Sequence, residues 1–204
     1  MSYQIESIVK YLIRQNNHDI NISFPAVVIG TDNLKDGLVD VQPIVNYSNP
    51  LTEETIEYPI LYNVSLIFPS SKNSTICFPV QQGDFVSLLI QSVDIKNFVN
   101  GNTEVHDPLM LSHGNLSNVV AIVGFTPYQQ SAFNPNNYNN DFNNQDLNIV
   151  HNKNTDNEAI ISINTDGDIS LKSPTKVVVD CKEFEVNASE KIKLTSPLIS
   201  ENGR

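Results

Sequence analysis

Three patterns of hydrophobic and polar positions follow one another along the chain. Apolar residues recur at helical spacing over 3–15, which predicts a short N-terminal helix within a helix-and-arm segment, residues 1–20. Residues 21–126 contain short apolar runs bounded by turn residues such as Asp36-Gly37, and we predict a β-domain there. The predicted strands are Phe24–Thr31, Leu38–Val45, Tyr58–Phe68, Thr75–Val80, Phe85–Ser92 and Val119–Phe125. Short strands in this number, with a helix to plug one end, suit an OB-like barrel, and a sandwich is the alternative that the pattern leaves open.

Residues 127–157 lose this regularity. Between Ser131 and Asn144, seven of fourteen residues are Asn, and no apolar period is sustained. The composition predicts an Asn-rich linker or extended arm. Its aromatic residues, including Phe133 and Tyr138, leave two interpretations open: a segment disordered on its own, or one that lies along a neighbouring surface.

Residues 158–204 carry the strongest pattern, a repeated pair of apolar positions separated by one residue. Successive units begin 8, 8, 7 and 8 residues apart, with turn residues such as Ser173-Pro174 between them. Within a unit the period of two places the apolar side chains on one face. Those positions are Ile161, Ile163, Ile169, Leu171, Val177, Val179, Phe184, Val186, Ile192 and Leu194. Repetition of this kind predicts a β-solenoid or β-prism.

This repeat has too few inward residues for one chain to fill its own interior. Each short strand of a lone chain would also expose its backbone edges, which invites aggregation. Three copies wound around one axis pair the strands and bury the apolar positions. We therefore predict a homotrimer whose C-terminal residues form a triple-stranded β-helix needle, on the order of 30 Å long at roughly 4.8 Å per strand. The alternative is half of an ordinary β-sandwich with coincidental spacing.

The charge of the chain narrows the possible partners. The formal net charge is −11, and residues 1–158 hold 16 acids against 6 bases, while residues 159–204 hold 7 against 6. A surplus of acid disfavours nucleic acid and anionic lipid as partners, because both require clustered Lys and Arg. No apolar stretch is long enough to span a membrane, and the N-terminus lacks the pattern of a signal peptide.

No set of residues in the sequence predicts an enzyme. His106 and His113 could be forced into a metal site, but turn histidines explain them better. The carboxylates of Glu53, Glu54 and Glu57 fit a solvated loop between strands better than an acid/base pair. We expect no catalytic residues, no metal and no cofactor. The two cysteines, 77 and 181, each lie in a strand pattern and are predicted to be small buried hydrophobic residues in a reducing compartment.

The order of these parts resembles one protein family, the short central spikes, or membrane-piercing needles, of contractile-tailed phage baseplates. The runs that carry the resemblance in the front half are residues 24–28, 39–43, 67–69, 79–84, 113–118 and 121–125. In the tail they are Asp166-Gly167-Asp168-Ile169-Ser170-Leu171 and residues 191–197. Their order and spacing together are more specific than any single run.

The resemblance implies a structural role in the virion. It implies a trimeric collar of OB-like domains docked beneath a tail-tube hub, and a needle driven through the host's outer envelope when the sheath contracts. Family needles often end in a His-x-His iron site, which the C-terminal run 198–204 lacks. We therefore expect either a separate tip protein or an apex closed by apolar packing. A tail fibre or receptor-binding shaft, and an OB-fold oligosaccharide-binding module, are the alternative functions.

Overall fold

The structure, a computed structural model, describes residues 23–48, 54–108, 115–139 and 142–197. The predicted N-terminal helix lies outside the described residues. The chain divides into two compact units, Met1–Ser131 and Ala132–Arg204. No helix among the described residues is both long enough and apolar enough to cross a membrane.

The first unit is built on a five-stranded closed barrel. Its described strands are β1 Ser23–Gly30, β2 Leu38–Pro43, β3 Asn46–Ser48, β4 Thr55–Glu57, β5 Leu61–Ile67, β6 Phe85–Ile90 and β7 Val119–Val123. Its short helical turns are Leu34–Asp36 and Tyr128–Gln130, both 3-10, and α1 Lys96–Val99. Strands β3 and β4 pair only with each other and form a separate hairpin.

The barrel strands close in the order β1-β2-β5-β7-β6, and β6 pairs back onto β1. Every pair is antiparallel except β5 with β7, which run parallel. Neighbours in space that are not neighbours in sequence make this a Greek-key barrel, the arrangement of the OB type. The predicted mainly-β fold with an OB-like barrel is confirmed, and the open sandwich is excluded for this unit.

The barrel core follows the alternation that the sequence predicts. Burial alternates residue by residue along β2 and most of β6, because a strand with one face inside a barrel buries every second side chain. The fully buried members are small or branched apolar residues: Ala26, Val28, Val39, Val41, Val86, Leu88 and Ala121. One chain therefore supplies the whole interior of this unit.

One predicted strand is wrong. Over 75–80 only Thr75 makes a β-bridge, to Ser70, and residues 76–79 are exposed. Each of the five barrel strands already has two neighbours, so no free edge remains for a sixth. Cys77, expected to be buried, is exposed for the same reason.

The second unit contains a three-stranded antiparallel sheet in the order β10-β9-β8. Its strands are β8 Leu147–His151, β9 Ala159–Ile163 and β10 Ile169–Lys172, preceded by a 3-10 turn at Pro135–Asn137. Strand β8 lies inside the segment 127–157 that the sequence predicts as a linker. Ordered pairing in this unit therefore begins a full strand earlier than the repeat pattern indicates.

Candidate functional site

One face of the β8–β10 sheet carries six apolar side chains in two rows across the strands. The rows are Leu147–Ile163–Ile169 and Ile149–Ile161–Leu171. Directly paired residues on neighbouring antiparallel strands point to the same side of a sheet, so the six side chains form one face. All six are exposed, by 37% to 75%. We call these six residues the apolar face.

The opposite side of the sheet is covered at its beginning. Ile160 is only 3% exposed, although its neighbour Ile161 is 43% exposed. Strand β9 is thus buried at Ile160 on one side within the single chain, while Ile161 and Ile163 are exposed on the other. The exposure of the apolar face is therefore specific to that side of the sheet.

The remaining predicted axis positions lie beyond β10 and are also exposed. They are Val177, Val179, Phe184, Val186, Ile192 and Leu194, exposed by 51% to 74%. The backbone over 175–197 is described, and no β-ladder is assigned within it. Cys181, expected to be buried, is exposed and free in this stretch. Residues 198–204 lie outside the described residues, and so do the expectations about the apex.

The pairing of the first two repeat units differs from what was expected. We predicted that each strand would pair with strands of the other two chains. Instead, β9 and β10 pair with each other through Ile163 opposite Ile169 and Ile161 opposite Leu171. The intervening Asn164–Asp168 turn closes a tight hairpin, in which the Asn164 side-chain oxygen accepts from the backbone N–H of Asp168 at 2.8 Å. That local turn chemistry favours pairing within the chain.

A buried carboxylate fastens the Asn-rich segment to this sheet. Glu158, just before β9, is 2% exposed. Its carboxylate accepts from the backbone N–H of Asn139 at 3.0 and 3.1 Å and from that of Asn154 at 2.7 Å. A buried carboxylate is tolerated where N–H groups satisfy it, so Glu158 holds two loops in place at once.

Tyr138 completes this arrangement. Its ring stacks on Phe142 with 3.8 Å between centroids, and its hydroxyl donates to the Ala132 carbonyl at 2.7 Å. Burial raises the pKa of the Tyr138 hydroxyl above its usual 10.0, and the negative charge of Glu158 adds to the rise. The segment that composition predicts as linker or arm therefore contains a packed tyrosine.

Sequence reasoning missed three residues of this unit. Leu147 and Ile149 form a further two-apolar unit, and its alternation was visible in the sequence but hidden by the surrounding Asn-rich composition. Glu158 gave no comparable signal, because its role depends on backbone groups that only the fold brings close. Tyr138 was marked by the sequence only as an aromatic residue that suggests a segment lying along a neighbouring surface.

Among the described residues, no cluster of side chains suited to a metal ion is found. No group of three or more His, Cys, Asp or Glu side chains that could hold a metal ion is found among them. The ring of His106 lies 2.7 Å from the Glu104 carbonyl oxygen, as a turn histidine would. His113, also expected to be a turn histidine, lies outside the described residues. The exposed Glu54 lies just before strand β4 of the hairpin and the exposed Glu57 is its last residue, while Glu53 lies outside the described residues.

Comparison with known proteins bears on the barrel. Residues 24–124 match the family model described as the phage protein Gp138 N-terminal domain. The match indicates a phage protein. It covers all but the first residue of the barrel strands and supports a structural or baseplate component of the virion. No curated protein matches the chain.

Proposed function

We propose that this chain is the trimeric central spike of a phage-type contractile tail, which pierces the host's outer envelope when the sheath contracts. The observation that carries the proposal is the exposure of every predicted axis position in the single chain. The match of the barrel to a phage domain supports an interpretation of that exposed surface as part of a phage assembly. Contiguous apolar surface of this kind marks an interface.

Copies of the same chain are the occupants that this surface fits best. The apolar face and the stretch 175–197 both present branched apolar residues at a period of two, so identical strands can interdigitate. Burying a half-exposed Val, Ile, Leu or Phe contributes roughly 1 kcal/mol, and the ten predicted axis positions give on the order of 10 kcal/mol per protomer before association costs. That gain is of the same order as the cost of association, so burial of these positions can drive the assembly.

The pairing within β8–β10 refines the design of the needle. Each chain first contributes a finished three-stranded sheet, and three such sheets enclose an axis with their apolar faces inward. Winding of strands from different chains then begins after Lys172, where the chain no longer pairs with itself among the described residues. The intertwined helix of the sequence prediction is shortened accordingly.

Such an assembly suits the transmission of force. Its backbone groups pair within each β8–β10 sheet and, after Lys172, between chains, and the polar residues of the repeat point outward. A needle whose strands are paired in this way resists local unfolding when it is pushed along its axis. The OB-like barrels then form the collar beneath the tail-tube hub, and a separate tip protein or apolar packing closes the apex.

Solution mass by light scattering tests the assembly. We expect the intact chain at three times 22.7 kDa. A chain ended after Ser173 keeps β8–β10 but lacks the intertwined part, and its trimer should dissociate at a concentration at least 10-fold higher. An intact chain that is monomeric at micromolar concentration would refute the proposal.

Location on the particle separates a central spike from a tail fibre. Gold-labelled antibody against the barrel should mark the end of the tail on its axis. Label on peripheral fibres would instead support the receptor-binding shaft, which shares the trimeric repeat but not the central position.

A further inference from the structure

Different segments of the chain follow the strands that finish at the two ends of the barrel. Strands β1, β5 and β7 run in one direction, and the chain departs toward the second unit from the end where β7 stops, at Val123. Strands β2 and β6 run the opposite way and finish at the other end. The hairpin β3–β4 follows β2 there, and α1 follows β6.

These two segments leave the barrel on either side of β1, because β2 and β6 are its two neighbours. Both carry large apolar side chains that are 39% to 63% exposed. They are Ile44, Ile56, Ile60, Val93, Phe98 and Val99. We call these six residues the docking face.

The hairpin side of the docking face is held rigidly on the barrel. Tyr58 stacks on Phe24 with 5.2 Å between ring centroids, and Tyr47 meets Tyr58 edge-on at 6.4 Å. The Gln42 side-chain amide donates to the Tyr58 carbonyl at 2.8 Å. A surface fixed before binding loses little conformational entropy when a partner arrives.

The α1 side is fixed by a buried carboxylate. Asp94 is 5% exposed, and its Oδ1 accepts from the backbone N–H of Lys96 at 3.0 Å. With its amide nitrogen turned toward this carboxylate, the buried Asn118 also donates to Oδ1 at 3.2 Å. Asp94 is thus a positioning residue that ties the start of α1 to the strand β7 side of the barrel.

The charges around the docking face are mostly negative. Glu57, Glu104 and Asp107 are exposed on the described parts of these segments, and Lys96 is the exposed base. An apolar centre with an acidic surround is complementary to a protein surface whose own apolar centre is bordered by Lys and Arg. The same charge opposes nucleic acid and anionic lipid.

We propose that the docking face binds a basic-rimmed protein of the tail, and so attaches the spike at the barrel end opposite the one where β7 leaves. This inference rests on the proposed function, since it names the surface through which the collar is held. It assigns the β3–β4 hairpin and α1, which lie outside the five-strand ring of the barrel, to attachment.

The test uses tails assembled in cells infected by the phage with a stop codon in this gene, mixed with purified spike protein. Spike incorporated into gradient-purified tails is measured by immunoblot. We expect Phe98→Asp and Ile56→Asp to lower incorporation at least 10-fold. Ile76→Asp is the matched control, because Ile76 is 62% exposed in the loop at the other barrel end. This variant should be incorporated like the unmodified chain.

A charge-reversal variant allows the test to be interpreted even if an apolar variant fails to fold. Glu57→Lys combined with Glu104→Lys changes only exposed side chains, and it should slow incorporation several-fold at low salt and little at high salt. Unchanged incorporation by all three variants would overturn the docking face. A second result would also overturn it: the unmodified trimers associate in pairs, and Phe98→Asp separates the pairs without changing incorporation. The partner bound by the docking face would then be a second spike.

Failure of the proposed function gives a different result. In that case the unmodified chain is not a trimer, or tails that lack it accept none of it. If only the docking-face proposal is wrong, the unmodified chain is still a trimer and is still incorporated into tails, and the docking-face variants are incorporated equally well.

Discussion

The barrel and the C-terminal unit share the same strand pattern, but only the barrel buries its apolar side chains within one chain. In both, strands alternate apolar and polar residues. The barrel closes five strands into a ring, so Val28, Val41 and Leu88 reach 0% exposure within one chain. The sheet β8–β10 stays open, and its apolar face is left bare. Closure of the strand order, and not the composition of the strands, decides whether a chain can satisfy its own hydrophobic pattern.

The comparison also separates two kinds of stability. The barrel's core is independent of protein concentration because every partner belongs to the same chain. In the proposed trimer the apolar face is buried by other chains, so its contribution to stability should depend on concentration. Substitutions in the two regions should therefore fail in different ways.

The largest effect is expected from a charge on the predicted axis. Ile192→Asp places three unpaired carboxylates together, and each buried unpaired charge costs about 3–5 kcal/mol. We expect the trimer to be lost in light scattering while the circular dichroism of the barrel is kept. Lys193→Asp adds the same carboxylate at the neighbouring outward position and should leave the trimer intact. Equal behaviour of the two variants would mean that the inward face is assigned wrongly.

A cavity in the barrel should produce the reverse outcome. Leu88→Ala removes one of the largest fully buried side chains and should lower the free energy of unfolding of the barrel by about 2–5 kcal/mol. Ile76→Ala truncates an exposed residue, and a change under about 0.5 kcal/mol is expected. Urea unfolding followed at two protein concentrations is the measurement. A Leu88→Ala midpoint that moves with protein concentration would contradict the self-contained core.

The barrel was predictable because its signal is local and repeated. Five of six predicted strands lie within three residues of the observed bounds, since half-buried strands alternate visibly. The failure at Thr75–Val80 has a global cause: a closed ring has no free edge, and no window of sequence reports closure. The hairpin β3–β4 was missed because Asn46–Ser48 and Thr55–Glu57 are too short to show a period.

The C-terminal unit shows the complementary limit. The repeat predicted which residues share a face, and the register places Ile161, Ile163, Ile169 and Leu171 on one side of the sheet. It could not show which strands pair within the chain, because inward positions are the same for either pairing. The role of Glu158 was beyond reach, since one of its donors lies 19 residues away in sequence.

A smaller effect is expected where the Asn-rich segment meets the sheet. Glu158→Ala leaves the N–H groups of Asn139 and Asn154 without their shared acceptor and should cost about 2–3 kcal/mol. Glu158→Gln keeps one acceptor oxygen and should cost about half as much. Hydrogen exchange at those two amides, measured with the urea midpoint, reports the loss. Asp156→Ala is the control, because Asp156 is exposed in the same loop. If Glu158→Ala leaves exchange at both amides unchanged, the carboxylate does not fasten the loops.

The smallest effect is a dependence on pH that arises at Tyr138 in the C-terminal unit. The pKa of Tyr138 is raised above 10.0 in the folded chain, by burial first and by Glu158 second. Once the pH exceeds 10, the unfolded chain releases this proton before the folded chain does, so stability is complete below that pH and falls as pH rises further.

Tyr138→Phe keeps the stacking on Phe142 but loses the hydrogen bond to the Ala132 carbonyl, at a cost of about 1 kcal/mol near neutral pH. Its urea midpoint should then fall less steeply than that of the unmodified chain as the pH rises above about 10, since the group whose pKa shifts is gone. Both proteins are compared at one concentration, so that the trimer contributes equally. Parallel pH curves would show that Tyr138 is as solvated in the folded chain as in the unfolded one, and that the Asn-rich segment does not pack as described.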